Sequence, residues 1–221
     1  GSFASAGQLC ISIERIYVHE RVFSSFLDRF ARRTAALRVG ASFDFETDIG
    51  SLVSGEHLRK VQAHVEDARD KGATVLTGGH ALPDLGPFFF APTILTEVTP
   101  EMTLFREETF GPVVAVYPVA SDEEALEKAN DSDYGLNASV WTSDEARGVA
   151  VAKRLHVGTV NVNEAYAATW GSVDAPMGGF KASGLGRRHG AAGIQKYTEL
   201  QTVAVQKLLD PVASGGGQPG E

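Results

Sequence analysis

Val113-Val114-Ala115-Val116-Tyr117 is an unbroken apolar run that leads within a few residues into Asp122-Glu123-Glu124-Ala125-Leu126-Glu127-Lys128-Ala129. A run this short and valine-rich reads as a strand covered on both faces, the environment of a parallel sheet. The stretch after it reads as a helix with Asp122 as cap and acids in its first turn, where the helix dipole favours negative charge. The same order recurs on either side. Ile11, Ile13, Ile16, Tyr17 and Val18 approach and form a strand, and Val22, Phe26, Leu27, Phe30 and Leu37 then share one helical face. A second amphipathic helix spans Gly55 to Lys71, stopped by Gly72, and a short strand follows over Ala73 to Thr77. Downstream, Ala138 to Trp141 is a strand, Ser143 to Leu155 a helix and Gly158 to Asn163 the next strand. The alternation predicts an α/β fold with a mostly parallel sheet and helices on both faces.

The chain has 221 residues, 43% of them apolar, which is enough to bury a proper core. Its 20 Lys and Arg against 28 Asp and Glu leave a net charge of −8, with no basic cluster able to neutralise a phosphate backbone, so nucleic acid is excluded as an expected partner. No run approaches the roughly 20 apolar residues of a membrane helix, and no secretory signal opens the chain. A soluble, cytoplasmic protein is expected. The single cysteine, Cys10, cannot form an internal disulfide, which fits a reducing compartment and leaves a thiol to be explained by packing or by chemistry. Gly1-Ser2 resembles a tag scar, and the chain starts directly at the Cys10 segment, so an upstream element is expected to be absent. At the other end, residues 208–221 are expected to form a flexible tail. Thr198 to Gln206 is β-prone with no helix to cover it; it reads either as an edge strand of the same subunit or as a strand given to another chain.

No P-loop, zinc pattern or dinucleotide-binding glycine turn is present; Pro176 to Arg187 contains glycines but follows no strand, and reads as a backbone-shaping turn. Three segments carry the chemical signal. They are Phe3-x-x-x-Gly7-Gln8-x-Cys10, Glu107-Glu108-Thr109-Phe110-Gly111-Pro112 and Pro176-x-Gly178-Gly179-x-Lys181-x-Ser183-Gly184. A lone Gly-Gln-x-Cys marks a buried cysteine more often than a nucleophile. The three together, in this order, resemble the signature of the NAD(P)-dependent aldehyde dehydrogenase superfamily, and the resemblance runs from Phe3 to about Gln206.

That resemblance implies the three-layer αβα catalytic domain of the aldehyde dehydrogenase fold over 3–186 and a C-terminal segment over 187–207 with an oligomerisation strand. It also implies that the cofactor domain, with its glutamate base and oxyanion asparagine, lies upstream of this chain. Cys10 would be the attacking thiol, placed at the start of a helix whose dipole favours a thiolate. Glu108 would hydrogen-bond the nicotinamide ribose and Phe110 would pack beside the nicotinamide ring of NAD or NADP. His57 and Lys60 align with helix positions near the ribose and fit a solvated helix surface equally well. Asn163, after a strand that walls the aldehyde tunnel, and Ser172, in the Glu164 to Ser172 loop, would contact substrate; Tyr166 and Trp170 line the tunnel or pack beneath it. Similarity around Asn161 to Glu164 and Ser183 to Arg187 leans towards succinate-semialdehyde dehydrogenases. Arg187 and Glu199 fall where the family orders its subunit contact, and Arg188 stands where many members have Glu. No metal site is implied. The partners expected are a small aldehyde and further copies of the same chain.

Two other classes remain compatible with the residues. A thiol hydrolase would pair Cys10 with His19 or His189. As an isolated fragment the chain could also serve as an assembly module without turnover.

Overall fold

The computed structural model describes residues 1–43 and 45–206. The expected tail at 208–221 and residue 207 lie outside the described residues. A 3-10 turn at Ala4–Gly7 precedes β1 (Arg15–His19) and α1 (Glu20–Ala35); α2 (Gly55–Asp70), β2 (Thr74–Thr77), β3 (Thr93–Thr96), α3 (Thr103–Arg106), β4 (Val113–Val119) and α4 (Asp122–Asn130) follow. The chain continues through β5 (Tyr134–Gly135), β6 (Asn137–Val140), α5 (Glu145–Ala152), β7 (Thr159–Val162), α6 (Ala167–Gly171), β8 (Phe180–Lys181) and α7 (Gly190–Gln195).

The apolar run that opens the sequence argument is central. The main sheet has the order β1-β4-β3-β2, with β4 parallel to both β1 and β3 and β2 antiparallel at the edge. Val114, Ala115 and Val116 are fully buried beside Ile94 and Leu95. Continuous burial, rather than alternation, is what a strand covered on both faces requires. Register partners Tyr17 and Tyr117 stack at 5.3 Å, Phe105 meets Tyr117 edge-on at 6.2 Å, and the Tyr17 hydroxyl donates to the Lys128 carbonyl of α4. Helix α2 buries Val61, Val65 and Ala68 in the common core, and Phe23, Phe26, Leu27 and Phe30 of α1 pack against it. Each fully buried aliphatic side chain here stabilises the fold by roughly 1.5–3 kcal/mol. The arrangement is the three-layer α/β domain expected.

Several expectations shift. The cap of α4 is Ser121, whose hydroxyl accepts from the Glu124 N–H, not Asp122. Asp122 is the first helical residue, and its carboxylate takes the Arg147 guanidinium in a bidentate pair at 2.7 and 2.6 Å. The sheet is not continuous: β6 and β7 form a separate parallel pair, and β5 and β8 a short antiparallel one. The glycine-rich stretch is the backbone-shaping turn foreseen, docked through Ser183, whose hydroxyl accepts from the Gly135 N–H, and through Lys181, which donates to the carbonyls of Asn130 and Ser132. Residues 198–206 form no strand within the chain, and Leu200, Val203 and Val205 point into solvent. No helix among the described residues is long and apolar enough to cross a membrane.

Candidate active site

Cys10 lies at the surface, in the turn that follows the Ala4–Gly7 3-10 segment and is closed by the Ser12 N–H donating to the Leu9 carbonyl at 2.8 Å. It does not open a helix, so the expected dipole contribution is absent; the first helix starts at Glu20. What holds the thiol in place is a pair of backbone constraints. Gly7 adopts φ +71° and approaches Gly111 so closely that a Cβ would stand 1.9 Å from the Gly111 oxygen. Gln8 donates to the carbonyls of Ser5 and Ser51, both at 3.1 Å, and accepts from the Val53 N–H at 2.8 Å. The Gly and Gln of the first segment therefore fasten the cysteine loop to the Gly-Pro of the second and to the chain before α2.

The second segment is gripped from several sides. Lys60 donates to the Glu108 carbonyl at 2.7 Å, and His57 Nε2 donates to the Phe110 carbonyl at 2.6 Å. Both side chains of α2 that the family resemblance brought forward thus hold the turn's backbone. Phe110 itself sits at φ +55°, a left-handed conformation that costs a non-glycine residue roughly 1–2 kcal/mol and needs such support. Glu14, which sequence reasoning missed, supplies the rest. It is half-buried, and its carboxylate oxygens accept the N–H groups of Thr109 at 2.9 Å and Phe110 at 2.8 Å. Burial pushes the Glu14 carboxyl above its usual range; the two amide donors and Lys60 oppose that rise, and Glu108 adds to it. The side chain of Glu108 is exposed and Phe110 is half-buried.

His64 backs the same turn, its Nδ1 3.1 Å from the Thr109 hydroxyl and only 5% of its surface exposed. Burial, and next Lys60, hold its pKa below the ordinary 6.5, while Glu107 and Asp67 pull the other way. The unfolded chain therefore takes up a proton more readily as pH falls through 6.5, and the stability His64 contributes above that pH is lost below it. The melting temperature is expected to drop between about pH 7.5 and 5.5, and His64→Gln to remove part of that drop. An unchanged pH profile in the variant would assign the acid sensitivity elsewhere.

A further network joins the cysteine loop to the 164–172 loop. Asn137 donates to the carbonyls of Ile11 at 3.1 Å and Ala165 at 3.2 Å. Buried Asn161 donates to Asn137 Oδ1 and accepts from the Thr169 hydroxyl at 2.6 Å. Asn137 did not stand out in the sequence and Asn161 entered only through the similarity around Asn161 to Glu164; polar residues facing inward on a paired β6 and β7 were the available sign. The side chain of Asn163 accepts from the Thr142 N–H at 2.8 Å, and the Ser172 hydroxyl donates to the Ala168 carbonyl at 2.7 Å; both residues are exposed. Trp170 is exposed and carries Arg188 over its ring at 5.1 Å.

Beside Cys10 lies a cavity of about 220 Å³ lined by Leu136, Met177, Gly178, Gly179, residues 183–186, Arg187, Arg188 and Lys196. No acidic side chain or imidazole is in this lining. Arg187 donates to the carbonyls of Gly179 and Gly186, whereas Arg188 has a sulfur contact to Met177, and Lys196 stands over Tyr197. None of these cations is ion-paired among the described residues. The histidines of the thiol-hydrolase alternative are elsewhere: His19 Nδ1 caps α1, and neither His19 nor His189 lines the cavity. A wider groove of about 440 Å³, lined by Glu123, Leu126, Glu127, Asn130, Arg154 and His156, shares no residue with it and is spanned by the Glu123–Arg154 ion pair.

The chain is similar to known proteins over most of its length. A Mycolicibacterium smegmatis protein named "Putative succinate-semialdehyde dehydrogenase", of the NADP(+) type, is 57% identical over 208 residues, covering 94% of this chain and 40% of its own length. A Mycobacterium tuberculosis H37Rv protein of the same printed name, numbered 2, is 55% identical over 211 residues, 95% of this chain and 41% of its own. The crystal structure of a Staphylococcus aureus betaine aldehyde dehydrogenase in complex with NAD+ superposes with a TM-score of 0.83 at 36% identity, covering 87% of this chain and 38% of that one. The chain thus spans about 40% of the length of the curated relatives it matches. The sequence pattern of the aldehyde dehydrogenase family extends over residues 1–203, and the chain belongs to that family.

Proposed function

We propose that this chain carries the nucleophile side of an NAD(P)+-dependent aldehyde dehydrogenase, and that the whole enzyme oxidises an aldehyde bearing a carboxylate, succinate semialdehyde being the substrate named for its relatives. The observation that carries the anionic substrate is the cavity beside Cys10, which gathers Arg187, Arg188 and Lys196 without an acidic partner in a chain of net charge −8. Uncompensated cations in a partly enclosed space favour an anion strongly.

The chemistry follows from the groups present. The Cys10 thiolate attacks the carbonyl carbon, forming a C–S bond as the carbonyl electron pair moves onto oxygen, to which the Cys10 N–H is proposed to donate. The nicotinamide nucleotide, when bound, accepts the hydride that leaves this carbon. A thioester on Cys10 remains; water attacks it, the C–S bond breaks, and the acid and the free thiol are released. The net reaction consumes aldehyde, oxidised cofactor and water, and yields acid, reduced cofactor and a proton. No carboxylate or imidazole of the described residues lines the cavity, and the base that activates water is proposed to lie outside it. The exposed Glu108 carboxylate suits ribose hydroxyls, which can only donate to it, and Phe110 offers an aromatic face beside the turn. Asn163 and Ser172 are proposed to meet substrate from the neighbouring wall.

In this reading residues 3–186 form the catalytic unit, and the segment 187–207 both completes its cavity with Arg187, Arg188 and Lys196 and joins another subunit in a cytoplasmic homo-oligomer through the exposed Leu200, Val203 and Val205. Arg188→Ala in the full-length enzyme tests the substrate class. The kcat/KM for succinate semialdehyde is expected to fall about 10- to 100-fold, the worth of one charge-assisted hydrogen bond, with a neutral aliphatic aldehyde changing less than about threefold. Equal losses for the two aldehydes would reject a carboxylate grip.

A further inference from the structure

We infer that Glu14 is a positioning residue for the nicotinamide nucleotide, its carboxylate clamping the Glu108–Phe110 turn through two backbone amides while its own backbone stands just after the Cys10 loop. The inference rests on the proposal that Glu108 and Phe110 face the nucleotide.

The geometry is specific. Both carboxylate oxygens are spent on consecutive N–H groups, Thr109 at 2.9 Å and Phe110 at 2.8 Å. The carbonyls on either side are taken by Lys60 and His57 at 2.7 and 2.6 Å. With the side chain of Thr109 held against His64, four backbone groups of the turn are engaged: the Glu108 and Phe110 carbonyls and the Thr109 and Phe110 N–H groups. These bonds hold Phe110 at φ +55°, with its ring edge-on to His57 at 6.2 Å and the neighbouring Glu108 side chain exposed. A carboxylate is suited to the task because it accepts two parallel N–H bonds at once, which an amide side chain does through one oxygen only. Glu14 also follows Cys10 closely along the chain, on the stretch that enters β1, and Gly7 touches Gly111 from the other side of the cysteine loop. The distance between thiol and cofactor face is thereby set through a short, doubly fastened span.

The test uses the full-length enzyme, with Glu14→Ala, Glu14→Gln and Glu108→Ala compared by steady-state kinetics, by titration with NADP+ or NAD+ in the absence of aldehyde, and by the rate of Cys10 alkylation with iodoacetamide. Glu14→Ala is expected to raise the cofactor KM and Kd by about tenfold or more, with the aldehyde KM and the alkylation rate within about twofold. Glu14→Gln, isosteric and still able to accept one N–H, is expected to fall between Ala and the native enzyme. A uniform loss in kcat with cofactor affinity unchanged, or a Gln variant as impaired as Ala, would overturn the positioning role. Should Glu14→Ala fail to fold, the Gln variant decides: unaltered cofactor affinity refutes the clamp. If Glu108→Ala weakens cofactor binding and Glu14 variants do not, the inference fails and the cofactor-facing turn stands. If neither residue affects it, that turn is not the cofactor contact and both fail.

Discussion

Cys10→Ala is expected to lower aldehyde oxidation by the full-length enzyme by at least about 10³-fold while leaving its melting temperature nearly unchanged. The two halves of this expectation have separate physical grounds. Loss of activity follows because no other thiol exists in the chain, and of the other nucleophilic side chains lining the cavity the Ser183 hydroxyl is bound to the Gly135 N–H and a Lys196 amine cannot form the thioester that water hydrolyses. Retention of the fold follows because Cys10 is exposed, so removing its sulfur leaves neither a core void nor an unpaired buried group. Reduced-cofactor formation followed by absorbance, with a thermal melt on the same samples, separates the outcomes. Near-native turnover would end the assignment of Cys10 as nucleophile, and a large fall in melting temperature would recast it as a packing residue.

Gly7→Ala is expected to be far more damaging to structure than its single methyl suggests. The added Cβ would lie 1.9 Å from the Gly111 oxygen and 2.4 Å from its carbonyl carbon, at a residue with φ +71°. Backbone cannot yield as the end of a flexible side chain can, so the cysteine loop must lift away from the Glu108–Pro112 turn. A cost of about 3 kcal/mol or more is expected, with the melting temperature falling by roughly 6–12 °C and kcat dropping with it. Gly72→Ala makes the comparison, since Gly72 has φ +102° but nothing within 4 Å of a new Cβ. It carries only the left-handed penalty of about 1 kcal/mol and no effect on turnover. Similar losses in the two variants would mean that the Gly7–Gly111 contact has no part in holding the site.

The features legible in the sequence were those with a strong local signal. The 113–117 run could only be a doubly covered strand, and α2 declared itself through Val61, Val65 and Ala68 at helical spacing with Gly72 beyond. The three segments around Cys10, Glu108 and Pro176 were recognisable in order, and the structure accounts for much of their content in backbone terms: Gly7 and Gln8 fasten a loop, Lys181 and Ser183 dock a turn. What stayed hidden depended on tertiary partners. Glu14 looks like any acid leading into a strand until Thr109 and Phe110 are brought to it by the β1–β4 pairing. Asn137 and Asn161 are ordinary strand residues until the 164–172 loop folds over them. Serine and aspartate cap helices about equally well, so Ser121 and Asp122 could not be ranked before the Arg147 pair was known. The two-residue strands β5 and β8 are too short to show any period, and 198–206 has β character in composition but no partner within the chain.

The Asn137 side chain has a consequence for how this enzyme could change its diet. Its single amide group reaches both the Ile11 carbonyl beside the thiol and the Ala165 carbonyl in the loop proposed to wall the aldehyde channel. One fastener therefore serves two loops. An insertion or deletion between Glu164 and Ser172 that reshapes the channel also tugs on the peptide next to Cys10, so selectivity and speed are geared together. Variants with a new substrate range will need a compensating adjustment near Ile11 or Asn137 before they regain a native rate.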